Sequence, residues 1–136
     1  MEHLDTILFD FDGTLAHLKI DFGDMRARVR QLIAEYGIED GRLKEFYALE
    51  LADEATRIIE ADDPARAAEF HRRVSALLVE IEMPAVARGS LLPSAVDTLR
   101  TLKRGGWKIG IITRNCARAV NALIEGTGLA YDALLC

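Results

Sequence analysis

Residues 4–11 centre on the apolar run Ile7-Leu8-Phe9, nearly continuous in hydrophobic character. Such a run predicts a strand buried on both faces, as in a parallel sheet, rather than one with a wet side. From residue 22 the period lengthens. Met25, Val29, Leu32, Ile33 and Tyr36 share one stripe, which predicts a helix over 22–36 with Gly37 at its C′ position. Leu43, Tyr47, Leu51, Ala55, Ile58 and Ile59 predict a second helix over 41–60. Asp63 and Pro64 then form a helix start, a cap followed by a first-turn proline. Ala67, Phe70, Val74, Leu77, Leu78 and Ile81 carry that third helix to about Met83, where Pro84 and the stretch Ala87-Arg88-Gly89-Ser90 break the pattern. Residues 20–86 thus read as a helical block without a strand.

After Leu91 the two periods alternate. Residues 93–106 predict a helix with Val96, Leu99 and Leu102 inward and Gly105-Gly106 ending it. Residues 107–113, WKIGIIT, predict a short buried strand opened by Trp107, which is read as packing. Residues 114–128 predict a helix with Ala117, Val120 and Ile124 inward, and 131–136 begin another apolar run. Strands alternating with helices imply right-handed crossovers and a parallel sheet. The predicted fold class is α/β, with the sheet split after its first strand by a helical insert.

Composition narrows the partners. The chain has 136 residues and a formal net charge of -5. Nucleic acid and anionic membrane both need a basic face, so neither is expected. No apolar run approaches a membrane span, and the acidic N-terminus is no signal peptide. The two cysteines, Cys116 and Cys136, have no Cys-x-x-Cys spacing. Both are expected as free thiols in a reduced, cytoplasmic compartment, without zinc.

The first strand ends in Asp10, Phe11, Asp12, Gly13 and Thr14. In a strand, residues two apart face the same side, so a pleat that persists to its end projects Asp10 and Asp12 together. Ligands of open parallel sheets bind at that end. Two neighbouring carboxylates repel unless a cation sits between them or one holds a proton. Oxygen-only ligands select a hard ion, and Mg²⁺ held by one or two carboxylates beside a phosphate is the usual arrangement. One acid could serve as nucleophile and the other as general acid and base. Gly13 keeps the turn open for an anion, and Thr14 can donate to it. Acids that merely cap a turn are the alternative reading.

The stretch FDFDGTL, 9–15, resembles the first motif of the haloacid dehalogenase superfamily, whose members are mostly phosphatases, and GIITRN, 110–115, is similar to its second motif. The resemblance covers nearly the whole chain. It implies a Rossmannoid parallel core, residues 1–16 and 87–136, with a helical cap, 17–86, inserted after motif one. It implies that Asp10 takes the phosphoryl group as an aspartyl-phosphate and that Asp12 protonates the leaving oxygen and then activates water. Mg²⁺ is implied at the Asp10 carboxylate and the Asp12 carbonyl, with Thr113 and the Arg114 amide on the phosphate. An acid at position 12 points to phosphate esters, because dehalogenases and phosphonate-cleaving relatives lack it.

The cap resembles that of phosphoglycolate phosphatases, so a small phosphorylated metabolite is the expected substrate. A phosphomutase shares the same two acids, and a non-enzymatic partner-binding module is the reading from another class. The family's phosphate-holding lysine and its second acidic pair lie after the strand begun at 131–136. The expectation is therefore a core lacking its C-terminal part. Its first strand would be left at the sheet edge, open to pairing with a second copy or another chain. His17 and Lys19 follow motif one and are read mainly as solvated loop. His71, Arg72 and Arg73 are read mainly as a wet helix face. Asn115 is expected to cap the following helix, with lining the pocket as the alternative. Cys116 stands at a helix start, a position that can lower a thiol pKa, but is read as packing.

Overall fold

The computed structural model describes residues 4–44 and 47–136. The chain divides into two compact units. One holds Glu82–Cys136 together with the segment that ends at Lys19; the other is Ile20–Ile81.

The first unit is built on a three-stranded parallel sheet in the order β1-β4-β5. Strand β1 is Thr6–Asp10, β4 is Lys108–Ile112 and β5 is Ala133–Leu135. Isoleucines make β4 the central strand: Ile109, Gly110 and Ile111 are buried. The register pairs Thr6 with Lys108 and Asp10 with Ile112. On the other side it pairs Gly110 with Ala133 and Ile112 with Leu135. Before β5 begins, Asp132 substitutes for a ladder partner. Its N–H donates to the Ile109 carbonyl, and its carboxylate accepts the Ile109 N–H at 2.7 Å.

The sequence predicts β1 to be buried on both faces, and the structure corrects this. Among the described residues the strand is bonded by β4 alone, the edge position expected above, but the face that carries Leu8 is open, with Leu8 62% exposed. Its apolar run is that of an interior strand; its neighbourhood is not. The remaining elements of this unit are a two-residue strand β2, Ala16–His17, paired antiparallel with β3, Ser90–Leu91, helix α4, Ala95–Arg104, and helix α5, Ala117–Ile124. Helix α4 buries Ala95 and Leu99. Helix α5 buries Ala119, Val120 and Ile124, and leaves Ala117 exposed, contrary to the expected inward set. Ala117 is the first residue of its helix, where the stripe has not yet turned toward the sheet.

The second unit is helical, with one buried cluster running from Met25 to Val74. Helix α1 spans Phe22–Glu35; Asp21 caps it by accepting the Asp24 N–H at 2.9 Å, and Gly37 follows its end. The predicted helix over 41–60 is shorter: a 3₁₀ turn covers Asp40–Arg42, and α2 covers Ala48–Asp62. After the turn Leu43 and Lys44 are not helical, and the Lys44 N–H is taken by the Glu54 carboxylate at 2.9 Å. Positions 45 and 46 of that expectation lie outside the described residues. Tyr47, expected on the inward stripe, is exposed as the residue preceding α2.

Helix α3 spans Pro64–Ala87 and belongs to both units. The Asp63 carboxylate caps it, accepting the N–H groups of Ala65 and Arg66 at 3.0 and 3.1 Å. Pro84 was expected to end this helix but lies inside it. Proline removes one helical hydrogen bond; here Ala85 and Val86 are buried just beyond it, and that packing holds the last turn. No helix among the described residues is long and apolar enough to cross a membrane.

Candidate active site

The carboxyl rim of the parallel sheet gathers the motif residues of the first unit. Asp10 is the last residue of β1 and lies opposite Ile112, so Thr113 is the next residue on the adjacent strand. Neighbouring strands run about 4.8 Å apart, which brings Asp10 and Thr113 to one rim.

After Asp10 the chain coils tightly. The Phe11 carbonyl accepts the N–H groups of Thr14, Leu15 and Ala16 at 3.3, 2.9 and 3.0 Å, and the Gly13 N–H donates to the Ala16 carbonyl at 2.7 Å. Gly13 has φ +80°, a conformation that side chains disfavour, so the turn needs glycine there. Burial alternates through this coil: Asp10 is exposed, Phe11 is completely buried and Asp12 is half-buried. Asp12 is aimed by one of its oxygens, Oδ1, which accepts the Leu18 N–H at 3.0 Å. Leu18 is itself buried, so the bond is sheltered from competing water. Thr14 is exposed at the turn. His17, expected in solvated loop, is exposed but belongs to β2, opposite Ser90.

Thr113 is buried, at 8% exposure. Its N–H donates to the Leu135 carbonyl at 2.9 Å, and its Oγ1 accepts the Asn115 N–H at 3.1 Å. A hydroxyl has one proton to donate besides its acceptor sites, and an accepted bond leaves that proton for a ligand oxygen. Asn115 does not cap α5 as expected. The N-cap is Cys116, whose Sγ accepts the Ala119 N–H at 3.4 Å. The Cys116 thiol pKa is raised, not lowered: burial disfavours the thiolate, and the nearby Glu82 carboxylate adds to the effect. Burial also raises the Cys136 thiol, with Glu82 contributing again. Both cysteines are free.

Two residues of this rim escaped the sequence reading. One is Leu18, whose backbone N–H holds Asp12. The other is Glu82, 3% exposed, whose Oε2 accepts the Cys116 N–H at 2.6 Å. A signal for Glu82 existed: it falls four residues after Leu78 and eight after Val74, an acid set into an apolar helical stripe.

In the helical unit, Arg73 is engaged with Glu35 at 2.6 Å and lies 5.5 Å from the Tyr36 ring centre. His71 and Arg72 are exposed. A groove of about 380 Å³ runs beside Arg28, Leu32, Glu35, Arg73 and Glu80, and within it Arg28 pairs with Glu80 at 2.7 Å.

For a metal, the rim of the first unit offers carboxylate and carbonyl oxygen. No cluster of three or more His, Cys, Asp or Glu able to hold an ion occurs among the described residues. That donor set suits a hard divalent cation that shares its coordination with water and substrate oxygen, rather than a closed protein cage.

Strand β1 ends at Asp10, Phe-Asp-Gly-Thr follows in the coil at the rim of the parallel sheet, and a helical unit comes later in the sequence; together these point to a hydrolase class. The haloacid dehalogenase-like hydrolase family model matches residues 4–136, and the chain belongs to that family. It is 30% identical to a phosphoglycolate phosphatase of Cereibacter sphaeroides, over 95% of this chain and 61% of the relative. It is 29% identical to the phosphoglycolate phosphatase of Rhodospirillum rubrum, over 91% of this chain and 54% of that protein. The chain thus spans a little over half the length of these relatives. Among solved structures, a haloacid dehalogenase-like hydrolase from Bacteroides fragilis superposes with TM-score 0.53 at 22% identity, covering 98% of this chain and 63% of its own. A phosphoglycolate phosphatase homologue from Haemophilus somnus gives 0.52 at 17% identity, covering 99% and 63%. These two likenesses speak to the fold.

Proposed function

We propose that the protein is a Mg²⁺-dependent phosphatase of small phosphorylated metabolites, similar in substrate class to the phosphoglycolate phosphatases. The observation that carries this is the β1–β4 register, Asp10 opposite Ile112, which supports a nucleophile and a phosphate-binding threonine on one rim. An Asp10 oxygen attacks phosphorus in line, and the ester P–O bond breaks. Asp12 gives its proton to the leaving oxygen. Asp12 then takes a proton from water, whose oxygen attacks phosphorus and releases Asp10 with inorganic phosphate. Thr113, the Arg114 amide, Gly13 and Thr14 hold the phosphoryl oxygens, since in-line transfer rests on positioning and charge stabilisation. The Asp10 carboxylate and the Asp12 carbonyl would hold Mg²⁺, which would supply neutralisation of phosphoryl charge. The Ile20–Ile81 unit serves as the cap, and the compartment is cytoplasmic.

The test is hydrolysis of an aryl phosphate with and without Mg²⁺, on this chain and on any longer product of the coding sequence. Asp10→Asn should reduce turnover at least roughly 10³-fold, because it removes the covalent route. Retained turnover in Asp10→Asn would overturn the assignment. A second reading, a domain that pairs through a sheet edge with another chain or copy, is favoured by the one-sided bonding of β1 and the exposure of Leu8. A monomer at high concentration would count against it.

A further inference from the structure

One buried charge has no part in the chemistry above. Glu82 and Thr113 are the buried polar side chains among the described residues. A carboxylate in such a setting is costly unless it is hydrogen-bonded. Glu82 meets this with a short bond from a backbone amide, the Cys116 N–H at 2.6 Å. Cys116 closes the turn that begins at Thr113 and starts α5. Among the described residues, three amides of that turn are hydrogen-bonded as follows. Thr113 N–H is held by the Leu135 carbonyl, Asn115 N–H by the Thr113 hydroxyl oxygen, and Cys116 N–H by Glu82. The first comes from β5 and the second is internal to the turn. The third comes from the C-terminal part of α3, through the Glu82 carboxyl group.

We propose that Glu82 is a positioning residue for the phosphate-binding turn: by holding the Cys116 N–H it fixes the backbone of residues 113–116, and with it the aim of the Thr113 hydroxyl. The proposal rests on the phosphatase reading. What matters is reach, an acceptor oxygen at the end of a two-methylene side chain, rather than charge. Glutamine keeps that acceptor and removes the charge. Aspartate keeps the charge and falls short by one methylene. Alanine removes both.

The experiment titrates inorganic phosphate, in the presence of Mg²⁺, into the whole chain and its variants by calorimetry. The amide resonances of Thr113, Asn115 and Cys116 are followed in parallel. Glu82→Ala and Glu82→Asp should weaken phosphate binding about five- to tenfold and move the Cys116 amide resonance upfield. Glu82→Gln should bind within about twofold of the parent. If Glu82→Ala fails to fold, the Gln and Asp variants decide the matter alone. Equal phosphate affinity in all variants would leave Glu82 a purely structural residue and overturn the proposal. So would wild-type affinity in Asp with loss in Gln, since charge would then be the operative property. A parent chain that binds no phosphate with Mg²⁺ overturns the phosphatase reading and this role together, an outcome distinct from parent binding with indifferent variants.

Discussion

On the phosphatase reading Asp12 would combine a structural and a chemical duty in separate atoms. Its Oδ1 accepts the Leu18 N–H, and asparagine retains an equivalent acceptor. Asp12→Asn should therefore melt within a few degrees of the parent while losing about 10²–10⁴-fold in turnover, the usual worth of general acid–base help. A matched loss of folding, seen by thermal melting, would mean the acid is a turn cap. Thr113 divides similarly. Thr113→Ser keeps the hydroxyl that accepts from Asn115, whereas Thr113→Val removes it. The valine variant should lose roughly 10–100-fold in kcat/KM for an aryl phosphate, with the serine variant close to the parent. In the sequence, strand end, glycine turn and motif spacing all point to both acids and this threonine, and the β1–β4 register is what the structure adds to that expectation. Leu18 was not legible there, since it acts through its backbone, and a backbone donor leaves no mark in residue identity.

At the scale of elements, the third helix was the most legible. Its cap and first-turn proline are local signals, and the Asp63 carboxylate bonds two of the amides that a helix start leaves open. Asp63→Ala should cost about 1 kcal/mol in chemical denaturation. Its C-terminal end was less legible: Pro84 argues for a stop, but the burial of Ala85 and Val86 outweighs one missing hydrogen bond. The β2–β3 pair was missed because two residues on each side carry no periodicity. It brings a tight spot with it. A Cβ placed on Gly89 would lie 3.0 Å from the His17 carbonyl oxygen and 3.2 Å from that of Ala85. Backbone atoms there cannot step aside as a side chain can. Gly89→Ala should therefore destabilise the fold by about 1–3 kcal/mol, read by urea melts, the usual range for overpacking.

For the whole molecule, the sheet faces were the hardest to foresee. Hydrophobic character reports what a strand can bury, and Ile7-Leu8-Phe9 could fill a double-sided core; the edge position of β1 was expected from the resemblance, and the open face at Leu8 was not. The same sheet is tied at its edges by charge. Lys108 bonds the Asp5 carboxylate at 2.7 Å and Lys103 bonds that of Asp132 at 2.5 Å. These hydrogen bonds hold both carboxyls below their ordinary value of 3.8, with Thr6 assisting at Asp5 and the Ile109 N–H at Asp132. A depressed carboxyl stabilises the folded state above its unfolded pKa, and that contribution is lost as pH falls through the folded value. Thermal stability should hold from neutral pH down to about 4 and decline below it. Both pairs are exposed, so added salt should flatten the decline.

The anchoring of Thr113 by the Leu135 carbonyl has a consequence for biosynthesis. Asp10 and Asp12 precede the helical insert in the chain, whereas the carbonyl that steadies Thr113 on the same rim comes from β5, after it. On the phosphatase reading, a nascent polypeptide carries both acids before it can steady Thr113, so phosphate binding should wait until β5 has joined the sheet.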